Sequence, residues 1–161
     1  MNKIIFLDID GVLNVISQGY DRFGSVFHEH LVDNLRLIID HTGADIVISS
    51  TWRVDGLDKM REMWKYRNLP GNIIGITPVS RWMEDGEIDG HDRGYEIQYW
   101  IDKFSVKTYV IIDDDSDMLE SQLINFVKTS DNPSHDDCID IGYGLTRECA
   151  LDVIKILNRN D

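Results

Sequence analysis

The sequence predicts an α/β protein with a doubly wound, Rossmann-like parallel sheet and helices on both faces. Three observations predict this class. Short apolar runs at Lys3–Leu7, Asp45–Ile48 and Thr108–Ile112 alternate with segments of helical periodicity. The runs are apolar at almost every position, as strands buried on both faces are. Each ends abruptly in polar residues, at Asp8, Ser49 and Asp113, and ligands of such sheets bind beyond the carboxyl ends of the strands.

Element by element, Lys3–Leu7 is the first strand, broken by Asp8. Residues Asn14 to Phe27 read as a loop, long enough for a hairpin flap but not for a cap domain. A helix at about Glu29–His41 follows, since Leu31, Leu35, Ile38 and Ile39 fall at i, i+4, i+7 and i+8, with Gly43 placed to end it. The second buried strand, Asp45–Ile48, runs into Ser49-Ser50-Thr51. Leu57, Met60 and Trp64 share one stripe of a helix at Leu57–Tyr66, and Leu69-Pro70-Gly71 breaks the pattern before a short strand at Asn72–Ile76. After a loop from Thr77 to Arg93, a helix at Gly94–Phe104 turns Ile97, Ile101 and Phe104 inward. The third strong strand, Thr108–Ile112, ends in Asp113-Asp114-Asp115-Ser116-Asp117. A helix near Met118–Ile124, a strand at Asn125–Lys128, a loop from Ser130 to Gly144 and a helix from Thr146 to Leu157 complete the chain. No internal repeat or linker interrupts this order, so residues 1–161 read as one domain, a length that suits one buried core.

Composition narrows the function classes. The chain has 29 acidic against 16 basic residues, a formal net charge of −13. That balance argues against stable non-specific binding to nucleic acid or to an anionic membrane, both of which want a basic face. The acids divide into 22 Asp and 7 Glu, although Glu is the better helix former. No apolar run reaches the ~18 residues of a membrane span, and the first apolar run stops too early for a signal-peptide core. A cytoplasmic location is therefore expected. Cys138 and Cys149 have no metal-ligand spacing and read as reduced structural residues. His28, His30, His41, His91 and His135 show no zinc spacing either.

The strand ends carry the chemistry. If the three strong strands are neighbours, Asp8, Asp10, Ser49, Ser50, Asp113 and Asp114 converge. Carboxylates so close repel unless protons or a cation compensate, and hard oxygen ligands suit Mg²⁺. An Asp beside Mg²⁺ can attack phosphorus, and a second acid two residues on can protonate the leaving oxygen and later activate water. Gly11 lets the backbone turn sharply at that spot.

In these residues the chain resembles the haloacid dehalogenase-like (HAD) superfamily. Phe6-Leu7-Asp8-Ile9-Asp10-Gly11-Val12-Leu13-Asn14 is similar to its first motif, which implies Asp8 as nucleophile and Asp10 as general acid/base. Ile46-Val47-Ile48-Ser49 resembles the second, implying that Ser49 holds the phosphoryl group. Asp113-Asp114 resembles the fourth, whose acids hold Mg²⁺ together with Asp8 and the backbone carbonyl of Asp10. The third motif, normally a Lys, is matched best by Arg93.

A narrower resemblance spans most of the chain. Thr42-Gly43-Ala44-Asp45-Ile46-Val47-Ile48-Ser49-Ser50-Thr51-Trp52-Arg53, Gly75-Ile76-Thr77-Pro78, Arg93-Gly94-Tyr95-Glu96-Ile97 and Gly144-Leu145-Thr146 are similar to small HAD domains of RNA-repair proteins. These are relatives of polynucleotide 3′-phosphatase domains, so the resemblance implies a phosphatase and suggests a polynucleotide end as substrate. There is no Gly-x-x-x-x-Gly-Lys-Ser/Thr loop, so no kinase activity is expected. Gly11, Ser50 and Arg53 are the expected substrate contacts, within a cationic rim drawn from Arg22, Arg53, Arg81 and Arg93. Trp82 is a candidate base-stacking platform, whereas Trp52, Trp64 and Trp100 read as packing residues. Two other readings stand beside this one: a small-molecule, nucleotide-type phosphatase, and a non-catalytic metal- or phosphate-binding, receiver-like module.

Overall fold

The structure, a computed structural model, describes residues 3–79, 92–130 and 142–159. Arg81, Trp82, His91, His135 and Cys138 lie outside them.

Five strands form one parallel sheet in the order β5-β4-β1-β6-β7, where β1 is Lys3–Leu7, β4 Asp45–Ile48, β5 Ile73–Ile76, β6 Thr108–Asp113 and β7 Phe126–Lys128. Between β1 and α1 (Glu29–Thr42), β2 (Tyr20–Asp21) and β3 (Gly24–Ser25) form a small antiparallel hairpin. The remaining helices are α2 (Leu57–Tyr66), α3 (Asp92–Phe104) and α4 (Arg147–Leu157).

Alternation along the strands builds a core on each face of the sheet. Ile5, Leu7, Ile46, Ile48, Val110 and Ile112 pack against α1, α2 and α4 through Leu31, Leu35, Met63, Trp64, Ala150 and Val153. Ile4, Phe6, Val47 and Ile111 point the other way, onto Ile97, Trp100 and Ile101 of α3 and onto Met118. Trp100 meets Phe6 edge to face at 5.7 Å, in keeping with its expected packing role.

The helix ends follow the expected chemistry. Gly43 closes α1 by donating its N–H to the Ile39 carbonyl, and the Thr146 hydroxyl caps α4 by accepting from the Cys149 amide. One element differs in kind. The helix expected near Met118–Ile124 is a 3₁₀ segment, Glu120–Asn125. Its N-terminal amide at Leu119 is taken by the Gln122 side chain at 3.0 Å, which also donates to the Gly94 carbonyl at 2.9 Å. Gln122 thus ties the segment to the start of α3 instead of propagating a helix. A second 3₁₀ turn, Thr51–Asp55, follows β4 where only a polar strand end was expected.

Register sets the site. Leu7 stands opposite both Ile48 and Ile112. The ladder then runs one bond further: the Asp8 amide donates to Ile112, Ser49 to Leu7, Thr77 to Ile48 and Thr129 to Asp113, all at 2.9–3.0 Å. The carboxyl edge of the sheet therefore presents Thr77, Ser49, Asp8, Asp113 and Thr129 in one row.

Candidate active site

Asp8, Asp113 and Asp114 each offer an oxygen to one cluster, all within 4.8 Å of one another. Arg93, from the first turn of α3, reaches across the sheet edge, with Nη1 3.2 Å from Asp8 Oδ1 and 3.0 Å from Asp113 Oδ2. Its position rests on contacts at the start of the helix. The Gly94 amide donates to the Asp117 carbonyl at 3.1 Å, and a Cβ at Gly94 would come within 2.7 Å of the Leu119 nitrogen. A side chain there would push Arg93 away from the carboxylates.

Gly11 does the same for Asp114. Its φ of 72° is left-handed, and a Cβ would lie 2.3–2.6 Å from the Asp114 carboxyl group. The Thr129 hydroxyl holds this turn by donating to the Gly11 carbonyl at 2.8 Å. Gly11 therefore makes room for a metal-ligand candidate, a role beyond the substrate contact expected of it.

Burial and mutual repulsion shape the ionisation of the site. Burial pushes the Asp8 carboxyl above its ordinary value, against the opposing effects of Arg93, the Ser50 hydroxyl and the Ile9 amide. Asp113 is pushed up to about 7 by burial and then by the charge of Asp8. For Arg93 burial opposes the charge, yet Asp113 and Asp8 outweigh it and raise its pKa.

The residues present fit a divalent cation. Arg53 and Arg93 supply two positive charges to a network that also holds Glu96, Asp8, Asp113 and Asp114. Once all are ionised, four carboxylates against two guanidinium groups leave two negative charges, and the donors are the hard oxygens that Mg²⁺ prefers. A pH dependence follows. Asp113 ionises near 3.8 when exposed but near 7 in the fold, so the folded state binds the extra proton between those values. In a chelator the melting temperature is expected to fall as pH rises from about 5 to about 7.5, while stabilisation by added Mg²⁺ grows over the upper part of that range. Calorimetric melts with and without Mg²⁺ check both slopes.

Ser49 is fully buried, and among the described residues its hydroxyl has no hydrogen-bond partner; the neighbouring Thr77 hydroxyl shares that state. Buried hydroxyls usually find partners, so this row suits an incoming oxyanion. Ser50 is committed elsewhere: its hydroxyl pairs with Asp8 and accepts from the Trp52 amide at 3.4 Å.

Arg53 is the principal correction to the sequence reading. It is not a rim cation but a buried strut. Nε donates to Thr77 O, Nη1 to the carbonyls of Ser49 and Ser50, and Nη2 to Pro78 O and to Glu96 at 2.5 Å. All five guanidinium N–H groups are spent inside the protein, leaving none for a phosphate. Arg22, expected in the same rim, pairs with Glu62 at 2.8 Å and lies over the Phe23 and Tyr66 rings.

The carboxylate of Asp10 stands apart from the three-carboxylate cluster and is exposed. Asn14 Nδ2 donates to its Oδ1 at 2.8 Å and Trp52 Nε1 to its Oδ2 at 2.9 Å. Sequence reasoning missed both donors, as well as Glu96. The Asn14 contact has a local signal in the Asp10–Asn14 spacing, and Glu96 stands three residues after Arg93, but nothing local announces Trp52.

Residues 4–133 match the family model of the HAD domain in Swiss Army Knife RNA repair proteins. The chain belongs to this family. As a HAD domain it is a hydrolase of the α/β, parallel-sheet kind described above. Among solved structures, a chain from Legionella pneumophila described as a HAD superfamily (subfamily III A) hydrolase is similar at 16% identity and a TM-score of 0.45. That match covers 99% of this chain and 84% of the other. No curated protein matches. Among the described residues, no helix of this HAD domain is long and apolar enough to cross a membrane.

Proposed function

We propose that the chain is a Mg²⁺-dependent phosphomonoester hydrolase that works through an aspartyl-phosphate at Asp8, with polynucleotide 3′-phosphate ends as substrate. The observation that carries the reading is Arg93, bridging Asp8, the carboxylate that would attack, and Asp113, one of those that would hold the metal. An oxygen of Asp8 attacks phosphorus while the ester P–O bond breaks, and Asp10 gives the leaving oxygen its proton. Water then attacks the phosphoryl group and passes a proton to Asp10; the bond to Asp8 breaks and inorganic phosphate leaves. Arg93 and the Ser49 hydroxyl face the charge on the phosphoryl oxygens. Asp8, Asp113, Asp114 and the Asp10 carbonyl would hold Mg²⁺, which offsets phosphoryl charge when bound.

Two facts support the polynucleotide end. The family is that of RNA repair proteins, and the segment between β1 and α1 holds only the β2–β3 hairpin, not a cap that encloses a small substrate. The net charge of −13 favours the other reading, a nucleotide-type small molecule. Turnover of a 3′-phosphorylated oligonucleotide, its 5′-phosphorylated counterpart and a free nucleoside 3′-phosphate, compared in Mg²⁺, tests the choice. The 3′-phosphorylated oligonucleotide is expected to lead in kcat/KM by about tenfold, about 1.4 kcal/mol of extra transition-state binding. Equal or faster turnover of the free nucleotide would assign the enzyme to small molecules. We further propose that the protein works in the cytoplasm.

A further inference from the structure

The Asp10 carboxylate accepts one N–H on each oxygen, and the two donors differ in kind. An indole N–H can only donate, whereas an Asn amide can donate from nitrogen or, turned over, accept at oxygen. The Oδ1 of Asn14 is itself buried, and among the described residues it has no partner. Asn14 can therefore serve Asp10 as carboxylate or as carboxylic acid, whereas the Trp52 N–H bonds more strongly to an oxygen that bears no proton.

Trp52 is in turn seated by the hairpin. Its ring lies edge-on to Phe27 at 5.5 Å, and a Cβ on Gly24 of β3 would stand 3.3 Å from it. Arg67, which packs over both Phe27 and Trp52, binds Asp21 of β2 through two hydrogen bonds of 2.8 and 2.9 Å. Hairpin, cation and indole make one packed unit that ends on Oδ2 of Asp10.

From this arrangement we infer that Trp52 is a positioning residue for proton transfer: it reserves Oδ2 of Asp10 as an acceptor and confines the shuttled proton to Oδ1. The inference rests on the phosphatase reading. In the first step the Oδ1–H bond breaks and its proton goes to the leaving oxygen as the ester P–O bond breaks. In the second step Oδ1 takes a proton from the attacking water. Without the indole N–H nothing reserves Oδ2 or fixes the orientation of the carboxyl group, and the fraction of the enzyme with its proton aimed at the leaving oxygen falls.

Leaving groups expose such a defect, because a poor leaving group needs its proton and an aryloxide needs it far less. The experiment measures kcat for an alkyl and an aryl phosphate with wild type, Asp10→Asn, Trp52→Phe and Trp52→His, together with each melting temperature. Asp10→Asn is expected to lower the alkyl-to-aryl rate ratio by about a hundredfold and Trp52→Phe by about tenfold. Trp52→His, which restores a ring N–H, should recover most of the ratio. A folded Trp52→Phe whose two rates fall equally, or a Trp52→His no better than Trp52→Phe, overturns the inference and reduces Trp52 to packing. If Trp52→Phe does not fold, the histidine variant decides alone: a ratio near wild type supports the N–H, and a lowered one overturns it. Wild type inactive on both esters would instead overturn the phosphatase reading itself.

Discussion

Replacing Asp8 by Asn is expected to abolish hydrolysis of a generic aryl phosphate, a loss of at least about a thousandfold, while the protein stays folded. The loss follows because an amide cannot form the acyl-phosphate bond. The fold survives for a separate reason: the native carboxyl is already held above its ordinary pKa by burial, and Arg93 keeps Asp113 as a partner when Asp8 loses its charge. A neutral side chain relieves repulsion toward Asp113 without orphaning the guanidinium. Kinetics with Mg²⁺ and a thermal melt check the pair of outcomes, and turnover within tenfold of wild type would sink the assignment of Asp8 as nucleophile.

Arg53→Ala is expected to fail in the opposite way, through stability. It removes five hydrogen bonds, four of them buried, and takes from Glu96, 4% exposed, the guanidinium that lies nearer to it than Arg93 does. Breaking a buried ion pair from one side costs about 3–5 kcal/mol, a large share of the roughly 5–15 kcal/mol that holds a domain together. For a chain of this length the melting temperature should drop by roughly 10 °C. Were Arg53 a phosphate contact, the variant would melt near wild type and show a raised KM instead. Arg53→Lys should recover little, because an ammonium cannot span acceptors spread over two loops and a helix.

Much of this molecule is legible in one dimension because parallel strands buried on both faces are written as unbroken apolar runs. Lys3–Leu7, Asp45–Ile48 and Thr108–Ile112 announce themselves, and their polar successors fall into register because the strands do. Asp8, Ser49, Asp113 and Asp114 are therefore located by reasoning that needs only neighbouring strands. Arginines escape it. A phosphate-binding guanidinium and a buried strut have the same local signature, and only the partners decide: carbonyls of Ser49, Ser50, Thr77 and Pro78 for Arg53, carboxylates for Arg93. Trp52 escapes for the same reason, since its role depends on an Asp forty-two positions away. The 3₁₀ segment at Glu120–Asn125 escapes because Gln122, whose spacing suits a helix, spends its side chain on Leu119 and Gly94.

Asp8 and Asp10 are two residues apart, yet they belong to different mechanical parts. Asp8 is clamped into the sheet, its amide bonded to β6, with Ser49 bonded to the carbonyl of Leu7 just before it. Asp10 sits in the turn beyond, held by Asn14 of the same turn and by Trp52, which packs on the hairpin. A change in the hairpin can therefore accumulate over generations without disturbing the strand that carries Asp8. The group that meets phosphorus would be inherited intact, while the group that meets whatever phosphorus is leaving could be refitted. On the proposed phosphatase reading, a fold divided in this way can exchange one phosphate ester for another without having to reinvent how it breaks them.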